Sequence, residues 1–339
     1  MLPPTTLRIV ARKCGVSHST AALAFRNPNR VAARTRERIF AVAKDLGYQR
    51  NPAAAALASG SERSLAHGHG APLVFLTWEI DPDARNKPTI FEKEVHFWAD
   101  RLGYQMRRLE LGLVQEPQRS LDIHYAQGAS GLILGPTYRW AELDLSRFAV
   151  VRCSGSNERS GYHSITHDVF GETVVVFQKA RELGYKAVGC ILRQHVPTIK
   201  DDLIRHGAVL AALNELGPGE RHVPPLLGGF YDLPELGSWL KRYEPDAVIG
   251  FSDGDLWTLK AQNIEIPEKL GFAAMHCLDH RGNCAGIRYN VDGIARQAVQ
   301  QLDHLLRFRE LGKPETVRDT VLNFAWQDGT SLPRKRGDA

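Results

Sequence analysis

The sequence has little of what marks most enzymes and exported proteins. No GxGxxG follows an apolar run, no GxxxxGK[ST] loop occurs and no GxSxG is present, so the usual nucleotide cradles and the usual serine nucleophile are missing. The five cysteines (Cys14, Cys153, Cys190, Cys277, Cys284) form no CxxC pair and no metal-like spacing with histidine. That argues against a disulfide framework and a zinc site, and reduced thiols with no metal and no cofactor are expected. No apolar run approaches the ~20 residues that cross a bilayer, and no signal-peptide core is visible at the N-terminus. A cytoplasmic protein without a membrane partner is expected, rather than an exported binding protein.

What is present is an uneven charge. Across 339 residues the net charge is +5, yet residues 1–63 hold 11 Lys/Arg against 3 Asp/Glu, a net of +8, and the rest carry −3. The basic end is the one that would face phosphates. Within it, Leu7, Val10 and Ala11 repeat at helical spacing behind Thr6, a possible cap. Gly15 supplies a tight corner, Val16 an apolar plug, and Ser17 a cap for a second helix over 18–25. A third helix fits 34–46, with Ile39, Val42, Ala43 and Leu46 on one stripe and Gly47 as its stop. This is helix-turn-helix spacing. The second helix then enters the major groove, with His18 and Ser19 placed to bond base edges and Leu23 able to touch only an apolar feature such as a thymine methyl. Thr6, Ser17, Thr20, Arg26, Arg30 and Thr35 are placed to grip the phosphate backbone.

Seven blocks in unbroken order, Thr6-Leu7-Arg8-Ile9-Val10-Ala11, Gly15-Val16-Ser17, Ser19-Thr20, Arg26-Asn27, Val31, Thr35-Arg36-Glu37-Arg38-Ile39 and Leu46-Gly47-Tyr48, resemble the headpiece of LacI-family transcription regulators. The family's usual Thr-Val-Ser after the turn is here Thr20-Ala21-Ala22, and Leu23 replaces an arginine common in the reading helix; both departures bear on the operator sequence. The resemblance makes the alanine-rich 51–60 a hinge helix that pairs with a second copy in the minor groove. Leu57 is then the wedge that kinks the central step, with Ala54 close beside it. Residues 59–71 read as a linker.

Beyond residue 72, short apolar runs at 73–77, 131–134, 149–152, 187–192, 247–251 and 270–274 are separated by room for helices, the pattern of buried parallel strands. The repeats Leu102-Gly103-Tyr104 and Leu183-Gly184-Tyr185 suggest two similar halves. The expected fold class is an all-α helix-turn-helix headpiece plus an α/β core of two doubly wound subdomains, similar to the periplasmic-binding-protein fold of LacI-family cores. The expected domains are a headpiece over 1–50, hinge and linker over 51–71, and a core over 72–332, with crossings near Asn157, Cys277 and Thr320. Ligands of open α/β sheets sit beyond strand carboxyl ends. The effector candidates are therefore Trp78, Glu79, Arg193, Asp253, Trp257 and His276, with Asp253 either accepting from ligand hydroxyls or capping a helix. The family often places a ligand-gripping arginine three residues before a helical glycine. Here Ile204 stands at that point and Arg205 comes one step, about 100°, later. Asp168 is expected to cap a helix. The cluster His276, Cys277, Asp279, His280 could be drawn as a Cys/His enzymatic site, but it falls in an expected crossover loop and lacks metal-ligand spacing. The tail 333–336 reads as solvated. The implied function is a DNA-binding regulator, most simply a repressor and not an enzyme. Its implied partners are operator DNA, a second copy in a homodimer, and a small effector of the sugar class.

Overall fold

A computed structural model of the chain describes residues 6–26, 31–46, 48, 71–77, 89–135, 142–153, 161–193, 198, 200–228, 233–278 and 281–335. The N-terminal part is three helices, α1 (Leu7–Lys13), α2 (His18–Arg26) and α3 (Ala33–Asp45). Their apolar stripes meet in a core of Val10, Cys14, Ala24, Ile39 and Ala43, covered by Leu7, Val16, Phe25, Val42, Leu46 and Tyr48. Helix α1 stops where Gly15 takes φ +63°, and a side chain there would touch nothing, so the backbone angle rather than space asks for glycine. Phe25 packs edge-on against Tyr48 at 5.5 Å and tilted against Phe40 at 5.1 Å, which ties α2 to the third helix and the residue behind it.

The larger part is α/β. Its elements in chain order are β1 (Ala71–Thr77), α4 (Ile90–Arg101), β2 (Tyr104–Glu110), α5 (Pro117–Ala126), β3 (Gly131–Leu134), β4 (Ala149–Cys153), β5 (His163–His167) and α6 (Val169–Glu182). Then come β6 (Val188–Leu192), α7 (Lys200–Asn214), β7 (Leu226–Leu227), α8 (Leu233–Tyr243), β8 (Ala247–Ser252), α9 (Asp253–Ala261), β9 (Gly271–Cys277), β10 (Ala285–Arg288), α10 (Val291–Phe308), β11 (Asp319–Leu322) and β12 (Ala325–Gln327). They build two six-stranded sheets, ordered β11-β5-β4-β3-β1-β2 and β12-β10-β9-β8-β6-β7. The pairings of β1 with β2 and β3, and of β6 through β10, are parallel, and β12 closes its sheet antiparallel to β10.

The second sheet shows why its strands read as unbroken apolar runs. Val188, Cys190, Ile249, Ala273 and Met275 point into one apolar cluster with Val176, Phe177 and Val209 of α6 and α7. Their neighbours Ile191, Val248, Phe272 and Ala274 point into another with Leu236, Trp239, Leu256 and Leu259 of α8 and α9. Alternation sends successive side chains to opposite faces, and helices cover both. The packing is close enough to dictate glycine. A β-carbon on Gly189 would lie 2.3 Å from the Trp239 ring, and one on Gly271 would lie 2.5 Å from Tyr185.

Contacts divide the chain into two compact units, one running to Gly135 and taking in Glu142–Val151 and Val299–Pro314, the other comprising Arg152–Ala298 and the chain from Glu315. The chain therefore changes unit near 298 rather than near Cys277. The reason is that β10 pairs with β9, which keeps the chain on the second sheet until α10 is under way. His276 and Cys277 likewise end a buried strand and do not form a crossover loop, while Asp279 and His280 lie outside the described residues. The tail is docked as far as Lys335. Tyr185 donates to the Pro333 carbonyl at 2.9 Å, Arg334 to the Glu182 carbonyl at 2.9 Å, and Lys335 to Asp246 at 2.7 Å. Pro333, Arg334 and Lys335 stay exposed, as read, while these bonds tie the two basic side chains to carbonyl and carboxylate acceptors.

Candidate DNA-binding surface and sensor residues

Helix α2 presents its first turn to solvent. Ser17 accepts from the Thr20 backbone N–H at 3.0 Å, the expected cap, and its oxygen lies 2.8 Å from both Ser19 Oγ and Thr20 Oγ1. Ser17, His18 and Ser19 are exposed at the positive end of the helix dipole, an arrangement suited to phosphates and base edges. Leu23, expected to be open, is half-buried, because it borders the face that Ala24 sinks into the core. Thr6 occupies the N-cap position of α1 without a side-chain cap bond and stays exposed, and Thr35 is half-buried in the first turn of α3. Arg26 is described only as a backbone position in α2, and Arg30, Ala54 and Leu57 lie outside the described residues.

In the second unit, residues at strand ends gather around one aromatic ring. The guanidinium of Arg193, just after β6, lies 5.0 Å from the centre of Phe251, and that of Arg205, on α7, lies 4.8 Å from it. Phe251 meets the His276 ring at 4.7 Å, which stacks on Tyr289 at 4.8 Å. His167 closes the group, 5.0 Å from His276 and 5.2 Å from Tyr289, and its Nδ1 lies 2.5 Å from Glu172. Burial first, and the Arg205 guanidinium after it, push the His276 imidazole down to about 4, so it is neutral at pH 7. Burial alone would raise the Glu172 carboxyl, but the imidazole contacts of His167 and His276 outweigh it and hold it below the usual range.

Of the proposed effector residues, Arg193 and His276 thus share a neighbour in Phe251. Asp253 accepts from the Leu278 N–H at 3.1 Å and is the first residue of α9, whose N-cap position is Ser252; Asp255, one turn in, accepts from Ser252 N–H at 2.9 Å. Trp257 lies on the open face of α9, 53% exposed, with the Lys260 ammonium 5.5 Å from its ring. Trp78 and Glu79 lie outside the described residues. Asp168 caps α6, accepting from Gly171 N–H at 2.9 Å. Sequence reasoning missed His167, Glu172, Phe251 and Tyr289. Only Glu172 left a signal, a carboxylate on the otherwise apolar stripe of Val169, Thr173, Val176 and Phe177.

Residues 6–51 match the family model described as bacterial regulatory proteins, lacI family. The HTH-type transcriptional regulator GntR of Pseudomonas aeruginosa is 46% identical over 353 aligned residues, spanning 95% of this chain and 93% of that protein. The chain belongs to the LacI family. Its fold is that of LacI-family structures. The lac repressor dimer bound to operator and the anti-inducer ONPF superposes with a TM-score of 0.62 at 16% identity, covering 98% of this chain and 100% of that one. The transcriptional regulator CelR in complex with cellobiose superposes with a TM-score of 0.58 at 17% identity, covering 96% and 99%. The core is accordingly periplasmic-binding-protein-like, and this LacI-family chain is a DNA-binding transcription regulator. Its relatives are regulators rather than enzymes. Among the described residues, no helix is long and apolar enough to cross a membrane.

Proposed function

We propose that this LacI-family regulator is a repressor that binds a palindromic operator as a homodimer and responds to a small effector, a sugar or sugar derivative, held by its core. The division of labour follows the chain: headpiece over 1–50, hinge and linker over 51–71, core over 72–332. The observation that carries the reading is the exposed Ser17-His18-Ser19 turn at the start of α2, within the segment that matches the family model. His18 and Ser19 read base edges, and Leu23 lies at the margin of the contact. Thr6, Ser17, Thr20, Arg26, Arg30 and Thr35 position the headpiece on phosphates. Leu57, with Ala54, wedges the minor groove at the dyad. On the sensing side, Arg193, Asp253 and His276 offer a cation, a hydroxyl acceptor and a ring. The complexes of structural neighbours with ONPF and with cellobiose support a sugar-class effector. Effector and operator binding are then coupled reciprocally.

The test is selection of bound sequences from a random DNA pool by the full-length protein, with and without Leu57→Ala, at near-physiological salt. A recovered palindrome whose affinity drops at least about tenfold in Leu57→Ala, with non-specific binding unchanged, supports the hinge-wedge reading. A palindrome bound equally well by both proteins discards it. Shifts of operator affinity across a panel of sugars then test the effector class.

A further inference from the structure

The ring cluster of the second unit holds more than an effector wall. His167 at the end of β5, Glu172 in the first turn of α6 and His276 near the end of β9 converge so that Nδ1, Oε2 and Nε2 all lie within 4.8 Å of one another. All three side chains are buried, yet His276 Nε2 has no hydrogen-bond partner among the described residues and only faces Glu172 Oε2 at 3.8 Å. A buried ring nitrogen without a partner is costly and asks for an occupant. We propose that His167, Glu172 and His276 form a binding site for a divalent transition-metal cation of the zinc class. This goes beyond the effector reading and is independent of it, except that His276 would serve as a metal ligand rather than an effector contact.

Donor chemistry and proximity both fit. Two imidazoles and one carboxylate suit zinc and its neighbours, leaving a fourth position for water or a ligand. Ligands at about 2.0–2.1 Å in tetrahedral array stand roughly 3.3 Å apart. The Glu172 oxygen lies 2.5 Å from one imidazole nitrogen and 3.8 Å from the other, and the two nitrogens lie within 4.8 Å of each other, so the carboxylate and the rings draw together around an ion to reach that spacing. Tyr289 and Phe251 wall the site on its ring faces.

The experiment is titration of untagged, full-length protein with Co²⁺, without DNA or effector, read by visible d–d absorption and by competition against a chelating dye. Expected is one Co²⁺ per chain in a low-symmetry site, displaced by Zn²⁺. His276→Ala and Glu172→Gln should weaken binding by more than about a hundredfold, and the exposed His304→Ala should leave it unchanged. Absence of stoichiometric Co²⁺ uptake by the wild-type protein overturns the proposal, whatever the fate of the variants. So does uptake retained in His276→Ala or lost in His304→Ala. Because no effector or operator is present, failure here leaves the regulator reading untouched, and failure of operator selection leaves this site untouched.

Discussion

Ile39→Ala tests whether the three-helix headpiece is held together by the core described for it. Ile39 is fully buried and, among the described residues, shares that core with the buried Val10, Cys14, Ala24 and Ala43. Removing three carbons forfeits roughly 2.5 kcal/mol at about 0.8 kcal/mol each, and the cavity left behind brings the cost into the ~2–5 kcal/mol range. A domain of this size has stability of about that order, so the variant headpiece should open readily. Hydrogen exchange of the full-length chain is the direct assay. Amides of α1, α2 and α3 should exchange about a hundredfold faster, as a loss near 3 kcal/mol requires, while amides of β8 and β9 keep their protection. Operator affinity should fall in step, because the α2 turn is presented only when α1 and α3 support it. Headpiece exchange that rises less than about fivefold, or an accelerated headpiece with unchanged DNA affinity, would refute the reasoning.

Three further outcomes follow from the geometry. Burial would raise the Asp246 carboxyl, but the N–H groups of Lys186 and Ala187 and the Lys335 ammonium hold it below its ordinary value. A depressed folded pKa gives stability that is present above the unfolded value of about 3.9 and is lost as pH falls through the folded value. Asp246→Asn should therefore cost about 1.5–3 kcal/mol at pH 7 and progressively less as pH falls below about 3.9, and a denaturation gap that stays constant with pH would contradict this. Gly271→Ala should cost about 1–3 kcal/mol by overpacking against Tyr185 and Leu332, with part of the loss recovered in a Tyr185→Ala background; strict additivity of the two substitutions would show that they do not meet. The selective loss of operator binding in Leu57→Ala, and a steep fall of affinity with salt, test the contribution of hinge and phosphates.

How much could be read from the chain depended on how local each feature is. The headpiece was legible because its signals lie within a few residues of one another: Gly15 at a positive φ, Ser17 bonding Thr20, and Ile39 and Ala43 one turn apart. All six apolar runs fall in strands, since burial on both faces writes itself as unbroken hydrophobicity. Strands β5, β7, β10, β11 and β12 went unread because they are short or largely polar and exist through pairing rather than pattern, as when His163–His167 aligns with Asp319–Leu322. The same limit hid the histidine cluster. His167 and His276 meet at 5.0 Å across more than a hundred residues of chain, and no periodicity reports such a meeting.

The chain's repeated passage between units has a consequence for its birth. The headpiece core is complete once Tyr48 has left the ribosome, since all of its partners lie before that residue. The first α/β unit must wait far longer. Tyr104 bonds Asp303 at 2.6 Å, Gly131 lies against Leu302, and Gly312 N–H bonds the Phe148 carbonyl at 2.8 Å, so its early strands stay open until residue 314 emerges. At about 5–20 residues per second that delay is roughly 15–50 s. During that interval the headpiece is already folded while the core is not, and the nascent sheet edges of the first α/β unit stay without their later partners.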